Sequence, residues 1–204
     1  MCVEVAAEVY SARPNQTSDM FQPALLAGLA VIAGYAGPTV TLRHEFTQYG
    51  HEHGLLEVSC GALWATSNGH GEAMGIGACE KLLTAINTDD TAVYVVINTN
   101  VADSAAGLDI AATAAITLIV AAAVSAISGT WFAPGRQIAP QTYALAAVAA
   151  LVMLNYASAL VGEATSAPDP YAITDVNVGF GAAIIAATPL LGLVACITSS
   201  SEQR

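Results

Sequence analysis

Polar and apolar positions segregate along this chain in long blocks. Four stretches carry no Asp, Glu, Lys or Arg: Met20–Leu42 (23 residues), Ile110–Gly135 (26), Gln137–Gly162 (26) and Val176–Ser201 (26). About 20 apolar residues in a helix cross a hydrocarbon layer of about 30 Å. Backbone groups in lipid must be paired within their own segment, and Ala- and Leu-rich runs of this length do not alternate as barrel strands do. The pattern therefore predicts four spanning helices near 22–42, 109–130, 141–162 and 176–197. The expected fold class is an all-α membrane protein. It is an antiparallel four-helix bundle with a small β-containing outer loop at 43–108.

That first outer loop has a different texture. Gly50, Gly54, Gly61, Gly69, Gly71, Gly75 and Gly77 punctuate it. Leu56–Cys60 and Thr91–Ile97 alternate or are β-branched and read as strands, and Glu80–Ile86 reads as one or two helical turns. A turn at 131–140 joins spans 2 and 3, and a second outer loop at 163–175 joins spans 3 and 4. Connections this short make neighbouring helices antiparallel. Trp131, Phe132 and Tyr171 fall at span ends, where amphipathic rings favour the membrane interface. Glu4, Glu8 and Asp19 against Arg13 give an acidic N-terminal segment, unlike the basic start of a signal peptide, so the first span is expected to be retained. Arg136 lies in the short turn without a nearby acid, which places that turn and both termini on the cytoplasmic or matrix side.

Composition sharpens the membrane reading. Hydrophobic residues are 55% of the chain and charged residues 10%, and the net charge is −11. An ordinary soluble domain carries roughly 25% charged residues, so too few exist here to wet a surface of this size. Five Lys and Arg cannot neutralise a phosphate backbone, which excludes nucleic acid as a partner. The expected partners are membrane lipids and other membrane-protein subunits.

Of the four cysteines, Cys2 falls on the inner side and Cys196 at the inner end of span 4. Cys60 and Cys79 share the outer loop. They form the natural disulfide, closing about 20 residues; two separate thiols are the alternative. No ionisable group lies at mid-depth of a span, where a transporter would keep one. Asp109 and Glu163 sit at span ends and are expected to stay wet. Asn155 is expected to bond a neighbouring helix, and Pro189 to kink span 4, with Thr188 or a neighbour satisfying the freed carbonyl. His44, His51, His53 and His70 lie among acids in the outer loop and read as polar surface residues. A metal set there is the less favoured reading. No catalytic set, phosphate loop or cofactor motif is recognisable, and neither catalysis nor a cofactor is expected. Small residues at helical spacing, Ala24/Gly28, Ala30/Gly34 and Gly179/Ala183, mark candidate close-packing faces.

The loop also carries a family resemblance. Cys60-Gly61-Ala62-Leu63-Trp64 is similar to the Cys-x-x-Leu-Trp start of the amastin signature, a family of kinetoplastid surface proteins. Gly61-Ala62-Leu63-Trp64 and Cys79-Glu80-Lys81-Leu82-Leu83 resemble the loop motif of claudins and peripheral-myelin proteins, and Val178-Gly179-Phe180-Gly181 resembles the opening of the last amastin helix. Here one cysteine precedes the Trp, the segment between the cysteines is longer, and Ala65-Thr66-Ser67-Asn68 stands where the family has a basic residue. The resemblance implies four spans and a Trp64 wedged between sheet and bundle. The expected function is a non-enzymatic structural membrane protein, either an accessory subunit of a larger energy-transducing assembly or a claudin- or amastin-like surface protein. A small-solute path lined by Thr113, Thr117 and Asn155 is the rival. The membrane is a mitochondrial inner membrane or a plasma membrane.

Overall fold

The computed structural model describes residues 16–48, 52–69, 71–88, 99–165 and 173–201. In chain order the elements are α1 (Gln16–Ala36), β1 (Val40–Gln48), β2 (Glu52–Cys60), β3 (Trp64–Ser67), β4 (Gly71–Met74), α2 (Ala78–Thr88), α3 (Thr99–Ser128), α4 (Ala133–Thr165), β5 (Ile173–Val178) and α5 (Phe180–Ser201). Among the described residues, three helical segments are long and apolar enough to cross a membrane: Val101–Ser128, Gln137–Glu163 and Phe180–Thr198. The apolar part of α1, Phe21–Ala36, is shorter. The molecule is thus mostly helical, carries an antiparallel sheet at one end, and is compatible with an integral membrane protein.

Each long helix turns one stripe inward at alternating spacings of three and four residues. On α3 the buried stripe runs Val101, Ala105, Leu108, Ala112, Ala115, Ile119 and Ala122. On α4 it runs Tyr143, Ala146, Ala150, Met153, Ala157 and Leu160. The opposite faces expose Leu145, Val148, Leu151 and Val152 on α4, and Leu190, Leu191, Val194 and Ile197 on α5. Large side chains turned outward over so much of a helix are stable in hydrocarbon and costly in water. α3 and α4 break only at Gly129–Phe132, a tighter turn than the expected 131–140; Trp131 and Phe132 are exposed there. Pro140 lies inside α4 rather than ending it.

The five strands pair antiparallel in the order β4-β3-β2-β1-β5. Their faces alternate as a half-buried sheet requires. Val40 and Leu42, Leu56, Val58 and Cys60, Ala65 and Val176 face the helices, while Arg43, Glu45, Glu57, Asp175 and Asn177 face out. α2 buries Ala78, Cys79, Leu82, Leu83 and Ile86 in the same core.

Two expected span boundaries are corrected. Span 1 does not run to residue 42. α1 stops at Ala36, and Val40–Leu42 belong to β1. Gly37-Pro38 ends the helix because the residue before a proline is driven out of the α region; β-branched residues then favour a strand. Span 4 does not begin at residue 176 either. Ile173–Val178 form β5 beside β1, with Val40 opposite Val178 and Arg43 opposite Asp175. The sheet is therefore built from two separate stretches of chain, residues 40–74 and 173–178. The expected strand at Thr91–Ile97 lies outside the described residues.

Candidate functional site

The densest chemistry of the molecule lies in the seam where sheet, α2 and helices meet. Thr39 immediately precedes β1, and its hydroxyl donates to the Cys60 carbonyl (2.8 Å), which also receives the Thr39 amide (2.6 Å). Cys60 closes β2, and its sulfur is bonded to Cys79 at the head of α2, with Cα atoms 5.4 Å apart. The expected disulfide is therefore present, and both of its cysteines are buried. Between them the Thr113 hydroxyl of α3 donates to the Ala62 carbonyl (3.3 Å).

Asp109 completes this junction. It was expected to stay wet at a span end, but it is fully buried, at 0% exposure. The reason is tertiary: α2 lies over it. The Cys79 amide donates to Asp109 Oδ2 (2.9 Å), and the Glu80 amide bonds to the same carboxyl. Asp109 thus serves as an N-cap supplied by another helix, satisfying amides that α2 cannot bond internally. Its other oxygen, Oδ1, is buried and has no partner among the described residues. The second end-of-span acid, Glu163, accepts a hydrogen bond from the buried Ser104 hydroxyl (2.9 Å) and ties α4 to α3.

The candidate packing residues divide. Ala30 and Gly34 are buried; Gly34 lies against Ile116 of α3, with Ala62 3.6 Å from the site of its missing side chain. Ala24 and Gly28 are exposed, and nothing lies within 4 Å of a Cβ placed on Gly28. They fall outside the packing of this chain, because α1 turns the stripe Leu26, Ala30 and Ala33, followed by Gly37 just past its end, to its neighbours instead. Gly179 packs on the backbone of Pro38, whereas Ala183 is exposed. The close approach of α5 is made two residues before Ala183, at Gly181 against Gly37 and Pro38.

Two further close contacts carried no signal of their own in the sequence. Gly107 of α3 accommodates the Tyr156 ring, and Gly192 of α5 accommodates Tyr143. A glycine facing a tyrosine from another helix is visible only once the helices are paired.

Asn155 was expected to bond a neighbouring helix. It is exposed on α4 and makes no hydrogen bond among the described residues, because the inward positions around it are Met153 and Ala157. Thr117 is also exposed, and its hydroxyl bonds the Thr113 carbonyl of its own helix (2.8 Å). Thr113, Thr117 and Asn155 therefore do not converge on one path. Thr188 donates to the Ile184 carbonyl (2.7 Å), one residue before the carbonyl that Pro189 releases.

Trp64 folds over its own turn at Gly61, whose amide bonds the Trp64 carbonyl (2.7 Å). Its buried indole nitrogen has no partner among the described residues. Strand alternation turns Ala65 to the core and Trp64 away from it, so the small residue Ala62, not the tryptophan, enters the seam. Of the histidines, His44 is buried on β1, not at the surface. The reason is register: position 44 follows Val40 and Leu42 on the inward face. The His53 backbone pairs with Thr47, and His51 and His70 lie outside the described residues. The geometry as a whole is that of a clamp, in which the disulfide ties β2 to α2, the buried Asp109 carboxyl ties α2 to α3, and the Thr113 hydroxyl ties α3 to the link between β2 and β3. No protein-family model and no curated protein matches this chain.

Proposed function

We propose that the chain is a non-enzymatic structural membrane protein that works by lateral packing of its helices, as an accessory subunit of a larger membrane assembly. α1 acts as the fourth span in this reading. Its 21 residues make a helix of about 31 Å, and it packs on both α3 and α5. The observation that carries the proposal is the outward apolar surface. Phe21, Leu25, Leu29 and Ile32 on α1 are exposed, as are the outward apolar side chains of α4 and α5, while exposed Ala24 and Gly28 leave a shallow strip on which another helix can lie close. A second reading, a claudin- or amastin-like surface protein, draws support from the Cys60–Cys79 bond and from a sheet built from two separate stretches of chain at one end of the helices.

Native mass spectrometry of the protein extracted in mild detergent tests the first reading. The expected result is this chain together with other subunits. A clean monomer across detergents overturns it.

A further inference from the structure

The link between β4 and α2 carries two exposed apolar side chains at its tip. Met74 is 70% exposed and Ile76 59%. Their exposure is built in. Gly75 (φ 91°) and Gly77 (φ 76°) take left-handed backbone conformations that L side chains rarely adopt, and they hold Ile76 between them pointing away from the core. The loop is also pinned. The Gly75 amide donates to the Leu63 carbonyl (2.8 Å), the Ala78 amide to the Gly75 carbonyl (3.2 Å), and the Lys81 ammonium to the Ile76 carbonyl (3.0 Å). A tip fixed by three hydrogen bonds and two glycines does not relax to hide its apolar side chains.

Its position relative to the helices is equally constrained. Residues 62 and 79, on either side of the tip, are bonded to Thr113 and Asp109 of α3. Counting about 20 residues back along α3 from Ser128, the length that crosses hydrocarbon, reaches Asp109. The neighbouring Ile110 is 60% exposed and apolar. By this count the tip, tethered through residues 62 and 79 to Thr113 and Asp109, sits near the end of the hydrocarbon layer. Lys81 adds a cation at that level, the arrangement that suits a phospholipid headgroup above its acyl chains. Glu80 beside Gly77 and Glu72 on β4 are both exposed near the tip, so Lys81 supplies no net positive charge there and the apolar pair supplies the main attraction.

We propose that Met74 and Ile76 insert into the phospholipid leaflet on the sheet side of the membrane, with Lys81 at the headgroup phosphates, so that the leaflet itself is the partner of this surface. The proposal rests on the spanning-helix reading, and its test separates the two. The full chain carries a photoreactive p-benzoylphenylalanine at position 76, at position 74 in a second variant, and at position 190 as a control in the exposed face of α5. Each is placed in phospholipid nanodiscs and irradiated, and adducts are read by mass.

The expected result is a mass increase of one phospholipid at positions 76 and 74, as at position 190. Lipid adducts at 190 alone overturn the insertion while leaving the spanning helices intact. Adducts at 74 and 76 to a second copy of the chain likewise overturn it, since the tip is then a protein contact. Absence of lipid adducts at all three positions overturns the spanning reading and the insertion with it. Formation of the Cys60–Cys79 bond in each variant checks that the chain has folded.

Discussion

A methyl group is the unit that decides most at the residue scale. Gly181 meets the backbone of Gly37 and Pro38, and backbone cannot swing aside as a side chain can. Gly181→Ala is expected to destabilise the protein by about 1–3 kcal/mol through overpacking. Gly28 has open space around it, so Gly28→Ala is expected to be neutral or stabilising by about 0.5 kcal/mol, since Ala is the better helix former. Thermal unfolding of both variants in one detergent checks the contrast; equal losses would contradict the assigned helix faces. These two glycines are indistinguishable in the sequence. Each stands beside an alanine in a charge-free apolar run, Gly28 after Ala27 and Gly181 before Ala182. Only the rotation of the helix about its axis separates them, and partners set that rotation.

α2 is the informative case at the element scale. Its amphipathic face, Ala78, Cys79, Leu82, Leu83 and Ile86, is legible in the sequence, and the helix covers the expected Glu80–Ile86 with two residues more at each end. Its cap is not legible, because Asp109 comes from a different helix 30 positions away. Asp109→Ala leaves buried amides unpaired and is expected to cost about 1–2 kcal/mol. Hydrogen exchange should accelerate at the Cys79 and Glu80 amides, and unchanged protection there would remove Asp109 from the capping role. The disulfide acts on the same element from the other side. It closes a loop with a sequence separation of 19, so the Cys60→Ser, Cys79→Ser pair is expected to lose roughly 3 kcal/mol. Equal melting of that pair and the oxidised parent would contradict this.

The whole molecule is organised by its sheet. α1 runs into the sheet at its C-terminus, α4 packs on β5, α5 leaves β5 at its N-terminus, and the N-terminal half of α3 is held to α2 and to the β2–β3 link through Asp109 and Thr113, as an up-and-down arrangement requires. If α1 crosses the membrane, the start of the chain lies opposite the β3–β4 turn. An epitope ahead of Met1 and another inserted at Gly69 should then differ in protease protection in sealed vesicles. Matching protection of the two would mean that α1 does not cross.

The sequence by itself determined the long apolar runs that are compatible with a membrane, and the class of most elements. Charge-free runs, a charged fraction of 10% and alternation at Leu56–Cys60 depend only on which residues follow which. The pairing of Cys60 with Cys79 was legible too, because it followed from which cysteines share a loop. Only the tertiary structure decided where α1 and α5 end, since Val40–Leu42 and Val176–Val178 are apolar enough for lipid but are claimed by strand pairing with each other. It alone decided which glycines meet a neighbour, and it buried Asp109. Burial and contact are properties of pairs of elements, and a pattern along one chain specifies each element's faces without saying which face finds a partner.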